Sequence, residues 1–222
     1  MIDYDLLESI DPAAYAAAKP FPHVVLYDLI DALALQAAAA EFSGTSAMES
    51  QFSNQRERKS AESRWEHFGP ITTSILAELN SDRFVTELAR IAAIPNLVSD
   101  NTLLGGGQHQ IMQGGLLAIH ADFNVHQDLG HRRMNVLVYL NEDWPEVWGG
   151  HLELWDDDGL HTAVLPTLGT VVIFSTSSSA MHGHPHPLAC PPDRSRKSLA
   201  TYYYSTEAAD PGDAPRSTLF RY

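Results

Sequence analysis

Apolar positions recur along this chain with two different periods, and the change from one to the other falls near residue 100. In the first hundred residues the spacing is mostly helical. Residues 4–18 are Ala-rich with scattered acids and predict a peripheral helix, with too little apolar bulk over 13–18 to anchor it deeply. Pro20 and Pro22 interrupt, and residues 23–27, around Val24 and Val25, alternate weakly like a short extended segment. Leu29, Leu33, Ala37 and Ala40 then return at helical spacing behind Asp28 as a cap, which predicts a helix over 29–42. From 43 to 63 the chain is polar and aperiodic and reads as a long loop of the kind that serves as a lid. Pro70 suits the start of another helix, and Ser81 caps a run in which Phe84, Leu88 and Ile91 share a face.

Beyond Asn101 short apolar runs are separated by Gly, Pro and Asp clusters, which is strand grammar. Strands are predicted at 102–104, 110–112, 116–120, 135–140, 150–155, 162–165, 170–174 and 198–204. Such spacing suggests a sandwich or barrel, an architecture that carries a metal site in its mouth. Residues 1–99 are expected to be a helical part that packs on the barrel and does not fold alone, and residues 100–222 the catalytic core. Gly105, Gly106 and Gly107 are not followed by Lys-Ser/Thr or a helix start, so they read as a bend or bulge between strands and not as a phosphate loop.

Composition narrows the function classes. A chain of 222 residues with 44% hydrophobic content can bury one substantial core. Its 14 basic and 28 acidic residues leave a formal charge of −14, which repels a polyphosphate backbone and argues against nucleic acid as a partner. No apolar run approaches the roughly 18 to 20 residues that cross a bilayer. The first ten residues carry three carboxylates and no basic segment, unlike a secretory signal, so a cytoplasmic protein without membrane association is expected. Cys190 stands alone and cannot staple the chain to itself.

The chemistry begins at 117–122, Leu-Ala-Ile-His-Ala-Asp, where an apolar strand ends in His120 and Asp122. In extended backbone, residues i and i+2 point to one side, so an imidazole and a carboxylate can converge on one ion. A His-x-Asp pair by itself is more often a hydrogen-bonded surface pair than a metal site. Sixty residues later the buried-looking strand Val171-Val172-Ile173-Phe174 leads through a small-residue turn into Met181-His182-Gly183-His184, which offers a third ligand. Two histidines and a carboxylate on one side of a metal leave adjacent positions open, the facial triad suited to Fe(II), whereas a structural zinc site is usually closed by cysteines that this chain lacks. Arg196 shares a strand face with Ser198, Ala200 and Tyr202, and an arginine inside an apolar barrel needs an anion there.

Together these residues resemble the Fe(II)/2-oxoglutarate-dependent dioxygenases, in particular the prolyl-4-hydroxylase-like branch with its His-x-Asp, distal His and downstream Arg. The similarity runs over roughly residues 100 to 205 and extends to Tyr139-Leu140-Asn141-Glu142-Asp143-Trp144, Gly149-Gly150-His151-Leu152-Glu153-Leu154 and Arg196-Lys197-Ser198-Leu199. The resemblance implies a mainly β protein with flanking helices: a double-stranded β-helix, the distorted, cupin-like jelly roll, buttressed by N-terminal helices. It assigns His120, Asp122 and His182 as catalytic iron ligands, Arg196 as anchor of the distal carboxylate of 2-oxoglutarate, and Tyr139 as a hydrogen-bond partner of that carboxylate. His184 is the alternative to His182, although Pro185 restricts its backbone. Lys197 is the alternative to Arg196, although it faces the other side of its strand and offers no fork. His126, His131 and His151 are not expected to be ligands, and the first two are expected in solvent.

The implied activity is hydroxylation of an unactivated C–H bond in an amino acid, a peptidyl residue or a small metabolite. Fe(II), 2-oxoglutarate and O2 are the implied cofactor and co-substrates, ascorbate the accompanying reductant, and succinate and CO2 the products. Because Asp122 supplies a carboxylate where halogenating relatives carry a small residue, hydroxylation is expected over chlorination. A cupin-like metal-binding or sensor protein without turnover is the alternative, and a zinc hydrolase a third reading. Arg56 or Arg58, in the 43–63 segment, is a candidate for meeting a substrate carboxylate.

Overall fold

The computed structural model describes residues 1–209 and 214–221. Among them are five α-helices: α1 (Tyr4–Glu8), α2 (Pro12–Ala17), α3 (Ala32–Ala40), α4 (Pro70–Leu79) and α5 (Asp82–Ala92). The strands are β1 (His23–Leu26), β2 (Ser50–Ser53), β3 (Arg58–Glu62), β4 (Val98–Ser99), β5 (Gly107–Met112), β6 (Leu117–Ala121), β7 (Val125–His126), β8 (Gly130–Tyr139), β9 (Leu152–Asp156), β10 (Gly159–Val164), β11 (Val171–Ser175), β12 (Met181–His184), β13 (Ser195–Ser205) and β14 (Leu219–Phe220). They pair antiparallel into a large sheet ordered β1-β11-β8-β13-β5-β3-β2, with β4 on β13 and β7 on β8, and a smaller sheet ordered β10-β9-β12-β6-β14.

Strand parity explains how one sheet serves two purposes. Along β13, Arg196, Ser198, Ala200 and Tyr202 stand opposite Ile111, His109 and Gly107 of β5 and Tyr139, Leu137 and Asn135 of β8, and this face looks toward the smaller sheet. The intervening Leu199 and Tyr203, with Val136, Val138, Val171 and Ile173 of neighbouring strands, point the other way into the main apolar core. There they meet Phe84, Leu88 and Ile91 of α5 and Ile75, Leu76 and Leu79 of α4, all buried. Burial of each such side chain contributes about 1.5–3 kcal/mol, so α5 is held by this one face. Ser81 Oγ accepts from the Phe84 N–H as its cap. The start of α4 is covered from a distance, with Glu41 accepting from the Ile71 and Thr72 N–H groups at 2.9 and 2.7 Å.

Several sequence expectations change here. Residues 4–18 form two short helices, each capped by an Asp, and Leu7 and Tyr15 are buried, so the segment is anchored by bulk outside its alanines. The helix expected over 29–42 starts only at Ala32, capped by Asp31, because Asp28 takes a left-handed conformation (φ 60°). It buries Leu35 and Ala38 and leaves Leu33 exposed, since in so Ala-rich a segment no face is apolar enough to be told from the others. Residues 102–104 turn instead of extending, with Leu103 at φ 52°. The expected loop at 43–63 contains the β2-β3 hairpin. Beyond the first strand, the Arg58 N–H donates to Leu116 O and the Ala118 N–H to Arg56 O, which stitches the hairpin to β6 of the other sheet. Parts of residues 1–99 thus extend the large sheet as well as covering it.

Candidate metal centre and co-substrate pocket

His120 on β6 and His182 on β12 are directly opposed in register, in a row that runs Leu154, His182, His120, Phe220 across the smaller sheet. Their rings lie 4.5 Å apart, and the edge of the Phe174 ring closes on His182 from the large sheet at 4.7 Å. Each imidazole is oriented in the same way: Nδ1 donates to the carbonyl two residues earlier, Ala118 O at 2.8 Å for His120 and Ala180 O at 3.0 Å for His182. A carbonyl only accepts, so both rings carry the Nδ1 proton and both Nε2 lone pairs are free to coordinate. Both Nε2 atoms face Asp122, at 3.5 and 3.6 Å. One ligand atom from each of the three residues lies within 4.8 Å of the others, the donor set of a divalent cation.

Asp122 is held from the other side. Its Oδ2 accepts from Asn135 Nδ2 at 2.8 Å and pairs with Arg132 Nη2 at 3.2 Å, which leaves Oδ1 the less occupied oxygen. Burial pushes the Asp122 carboxyl up, but Arg132, His182 and His120 together hold it well below the usual carboxylate range. Burial also brings the His182 imidazole down to about 4 against the pull of Asp122, so it is neutral and ready to bind metal at physiological pH.

Arg132 went unrecognised in the sequence for a definite reason. Its parity is wrong for the inward face set by Asn135, Leu137 and Tyr139, and a register shift between Tyr203 and Tyr204 swings it inward. There its guanidinium stacks on Tyr202 at 3.4 Å and its Nε donates to Asn135 Oδ1 at 2.8 Å.

Across the cavity Arg196 is buried, with Nε donating to Gly150 O at 2.8 Å and Nη2 to Tyr139 Oη at 3.2 Å. Its remaining N–H donors have no protein acceptor among the contacts described, and they belong to the face that lines the cavity with the His-Asp-His group. Gly150 sits at φ 77° beneath this side chain, and a Cβ there would meet Leu188 and crowd the Arg196 Cδ. Lys197 points away, donating to Ala39 O. His184 lines the same cavity one bulge beyond His182 and opposite Leu117, outside the three-residue group. Both of its ring nitrogens are buried without a hydrogen-bond partner, and an orphaned imidazole of this kind marks a wall built for a polar ligand. The residues present therefore fit Fe(II) at one end and a dicarboxylate along the cavity.

The remaining expected residues fall elsewhere. His126, expected in solvent, is buried: its Nδ1 accepts from the Asp128 and Leu129 N–H groups and its ring packs on Tyr204, so it closes the β7-β8 turn. His131 and His151 are half-buried and outside the metal group. The cavity lining includes neither Arg56 nor Arg58; Lys59 and His109 line it instead, Lys59 unforeseen because its hairpin read as a loop and His109 because it lies just before the strand expected at 110–112.

Residues 107–204 match the family described as the 2OG-Fe(II) oxygenase superfamily. No curated protein matches the chain in sequence. Among solved structures it is similar to a Pseudomonas putida prolyl-4-hydroxylase, at 20% identity and TM-score 0.63 over 90% of this chain and 98% of that one. It is similar to a Trichoplax adhaerens prolyl hydroxylase in complex with a hypoxia inducible factor oxygen degradation domain peptide fragment, at 14% identity and TM-score 0.56 over 90% of each chain. HygX from Streptomyces hygroscopicus, with nickel, 2-oxoglutarate and hygromycin B bound, is similar at 15% identity and TM-score 0.55 over 89% of this chain and 92% of that one. The shared fold is the double-stranded β-helix.

Proposed function

We propose, from the match of residues 107–204 to the 2OG-Fe(II) oxygenase superfamily and from the geometry of the site, that this chain is a member of that superfamily, that it hydroxylates a C–H bond of its substrate with O2 and 2-oxoglutarate, that His120, Asp122 and His182 hold the iron, and that Arg196 with Tyr139 holds the distal carboxylate of the co-substrate. The observation that carries the reading is the His182-His120 register with both Nε2 atoms turned on Asp122. Bound Fe(II) would activate O2, the oxidant, with two electrons coming from 2-oxoglutarate and two from the substrate C–H bond, so that one oxygen atom enters the substrate and the other enters succinate as CO2 leaves.

The chain's own residues set the geometry. Backbone carbonyls fix the two imidazoles as metal-binding tautomers, and Asn135 and Arg132 fix the carboxylate, so these three side chains would hold the metal without rearranging. Arg196 has five N–H donors, of which Gly150 and Tyr139 use two; the rest form a fork for a carboxylate. Tyr139 Oη, accepting from Arg196, is left with its own proton to donate onward. Phe174, Leu137 and Leu152 keep the surroundings apolar, which strengthens these contacts. The uncommitted N–H donors of the buried Arg196 favour this reading over a protein that binds the metal alone.

The test is succinate formation from 2-oxoglutarate with Fe(II), ascorbate and air, in the presence of proline-containing peptides or free amino acids. Succinate formation that depends on oxygen and rises with one substrate class is expected. Activity that survives without oxygen and 2-oxoglutarate would point to a hydrolase and overturn the reading.

A further inference from the structure

The cavity carries more positive charge than its iron and co-substrate account for. Lys59, Arg132 and Arg196 line it against a single lining carboxylate, Asp122. Fe(II) and the 2-oxoglutarate dianion cancel each other, so with the histidines neutral two positive charges remain. With Asp122 engaging Arg132, the two are Arg196, which faces the distal carboxylate of the co-substrate, and Lys59. Glu57 forms an ion pair with Lys59 at 3.7 Å from outside the cavity lining, and counting it still leaves one cationic charge in the cavity. This is the reverse of the whole chain, whose formal charge is −14, so the local field singles out the cavity for an anion.

Position agrees with charge. Lys59 projects from β3, paired with Phe52 of the edge strand β2, and its Nζ lies 5.1 Å from the Phe52 ring centroid. Ala61, two residues on, stands opposite His109, so Lys59 and Ala61 share the inward face of the sheet. A second hollow, bordered by Glu49, Phe52, Lys59, Ala61 and Gly105, has Lys59 in common with the central cavity, and its one carboxylate, Glu49, accepts from Ser63 Oγ. Lys59 therefore stands where the central cavity adjoins this second hollow at the sheet edge. Burial pulls its ammonium below the usual lysine range, with Glu57 opposing, and a bound anion would restore the charged form.

We propose that the hydroxylated substrate carries a carboxylate and that Lys59 receives it, making the β2-β3 hairpin the element that selects the substrate. The inference rests on the cavity being the iron and 2-oxoglutarate site. It commits to anion recognition and leaves a free carboxylate and an acidic side chain in a peptide as sources to be separated.

The experiment titrates full-length protein, loaded with Mn(II) and 2-oxoglutarate, with N-acetyl amino acids and with the matching N-acetyl amino acid methylamides, the Asp and Glu methylamides included. At least one carboxylate-bearing probe is expected to bind about tenfold or more tighter than its neutral counterpart. Lys59→Met should erase the preference, Lys59→Arg should retain most of it, and Mn(II) and 2-oxoglutarate affinities measured on the same samples should not change. Preference confined to the Asp and Glu methylamides would identify a peptide source, and preference for the free acids a small-molecule source. No preference for any carboxylate, a preference that persists in Lys59→Met, or loss of 2-oxoglutarate binding in Lys59→Met overturns the proposal. Failure of the wild type to bind Mn(II) and 2-oxoglutarate overturns the proposed function itself, and this assignment with it.

Discussion

Replacing Arg196 by Met removes a charged fork while keeping most of the buried volume, and the structure sets the size of the effect. Nε is committed to Gly150 O and one Nη2 proton to Tyr139 Oη, so a carboxylate arriving at the guanidinium gains a two-bond contact from the remaining donors. Charge-assisted hydrogen bonds contribute about 1.5–3 kcal/mol each, so the loss is about 3–6 kcal/mol, or roughly 10² to 10⁴ in Kd. Arg196→Lys retains the charge without the planar fork and should fall between the two. The assay is calorimetric titration of 2-oxoglutarate onto Mn(II)-loaded protein, with Mn(II) affinity measured separately, because Arg196 lies outside the His120-Asp122-His182 group proposed to hold the metal. An Arg196→Met protein that folds, binds Mn(II) and takes up 2-oxoglutarate within about threefold of wild type would refute the anchor.

Tyr139→Phe deletes one hydroxyl from the same contact and should weaken 2-oxoglutarate by about 1 kcal/mol, roughly fivefold, in the same titration; it should also be non-additive with Arg196→Met, because Arg196 Nη2 donates to that hydroxyl. Glu62 is buried and accepts from both Nε and Nη2 of Arg64, which, against the opposing effect of burial and with help from His67, bring its carboxyl from 4.5 down to about 2. Its contribution to stability is therefore complete above pH 4.5 and lost as pH falls from 4.5 toward 2, since only the unfolded chain takes up the proton in that window. Melting temperatures of metal-free protein across this range should fall more steeply for wild type than for Glu62→Gln, and parallel curves would contradict the pairing. Glu41→Ala uncovers two N–H groups at the start of α4 and should cost about 1 kcal/mol by urea denaturation; no change in midpoint would mean that solvent caps the helix equally well.

The parts of this protein that were legible in its sequence are those governed by strict local periodicity. Phe84, Leu88 and Ile91 identified the buried face of α5, and alternation along 196–202 identified the inward face of β13, because a four-residue helical repeat and a two-residue strand repeat survive without tertiary information. His120 and Asp122 were visible as an i, i+2 pair at a strand end, and His182 as the first histidine after an apolar strand. What escaped was set by contacts distant in sequence. The β2-β3 hairpin is polar because it forms the sheet edge, and its pairing with β5 and its stitches to β6 have no local signature. Arg132 faces inward only because the β8-β13 register slips beside it. His126 reads as a polar loop histidine until the turn that donates two backbone N–H groups to it closes around the ring.

The most direct measurement is the stoichiometry and metal dependence of 2-oxoglutarate binding, followed by calorimetry under nitrogen on metal-free, Mn(II)-loaded and His182→Ala protein. The account predicts one 2-oxoglutarate and one Mn(II) per chain in the wild type, much weaker co-substrate binding without metal, and loss of the metal site in His182→Ala. Equal 2-oxoglutarate affinity with and without Mn(II), or a His182→Ala protein that still binds one Mn(II) with wild-type affinity, would contradict it.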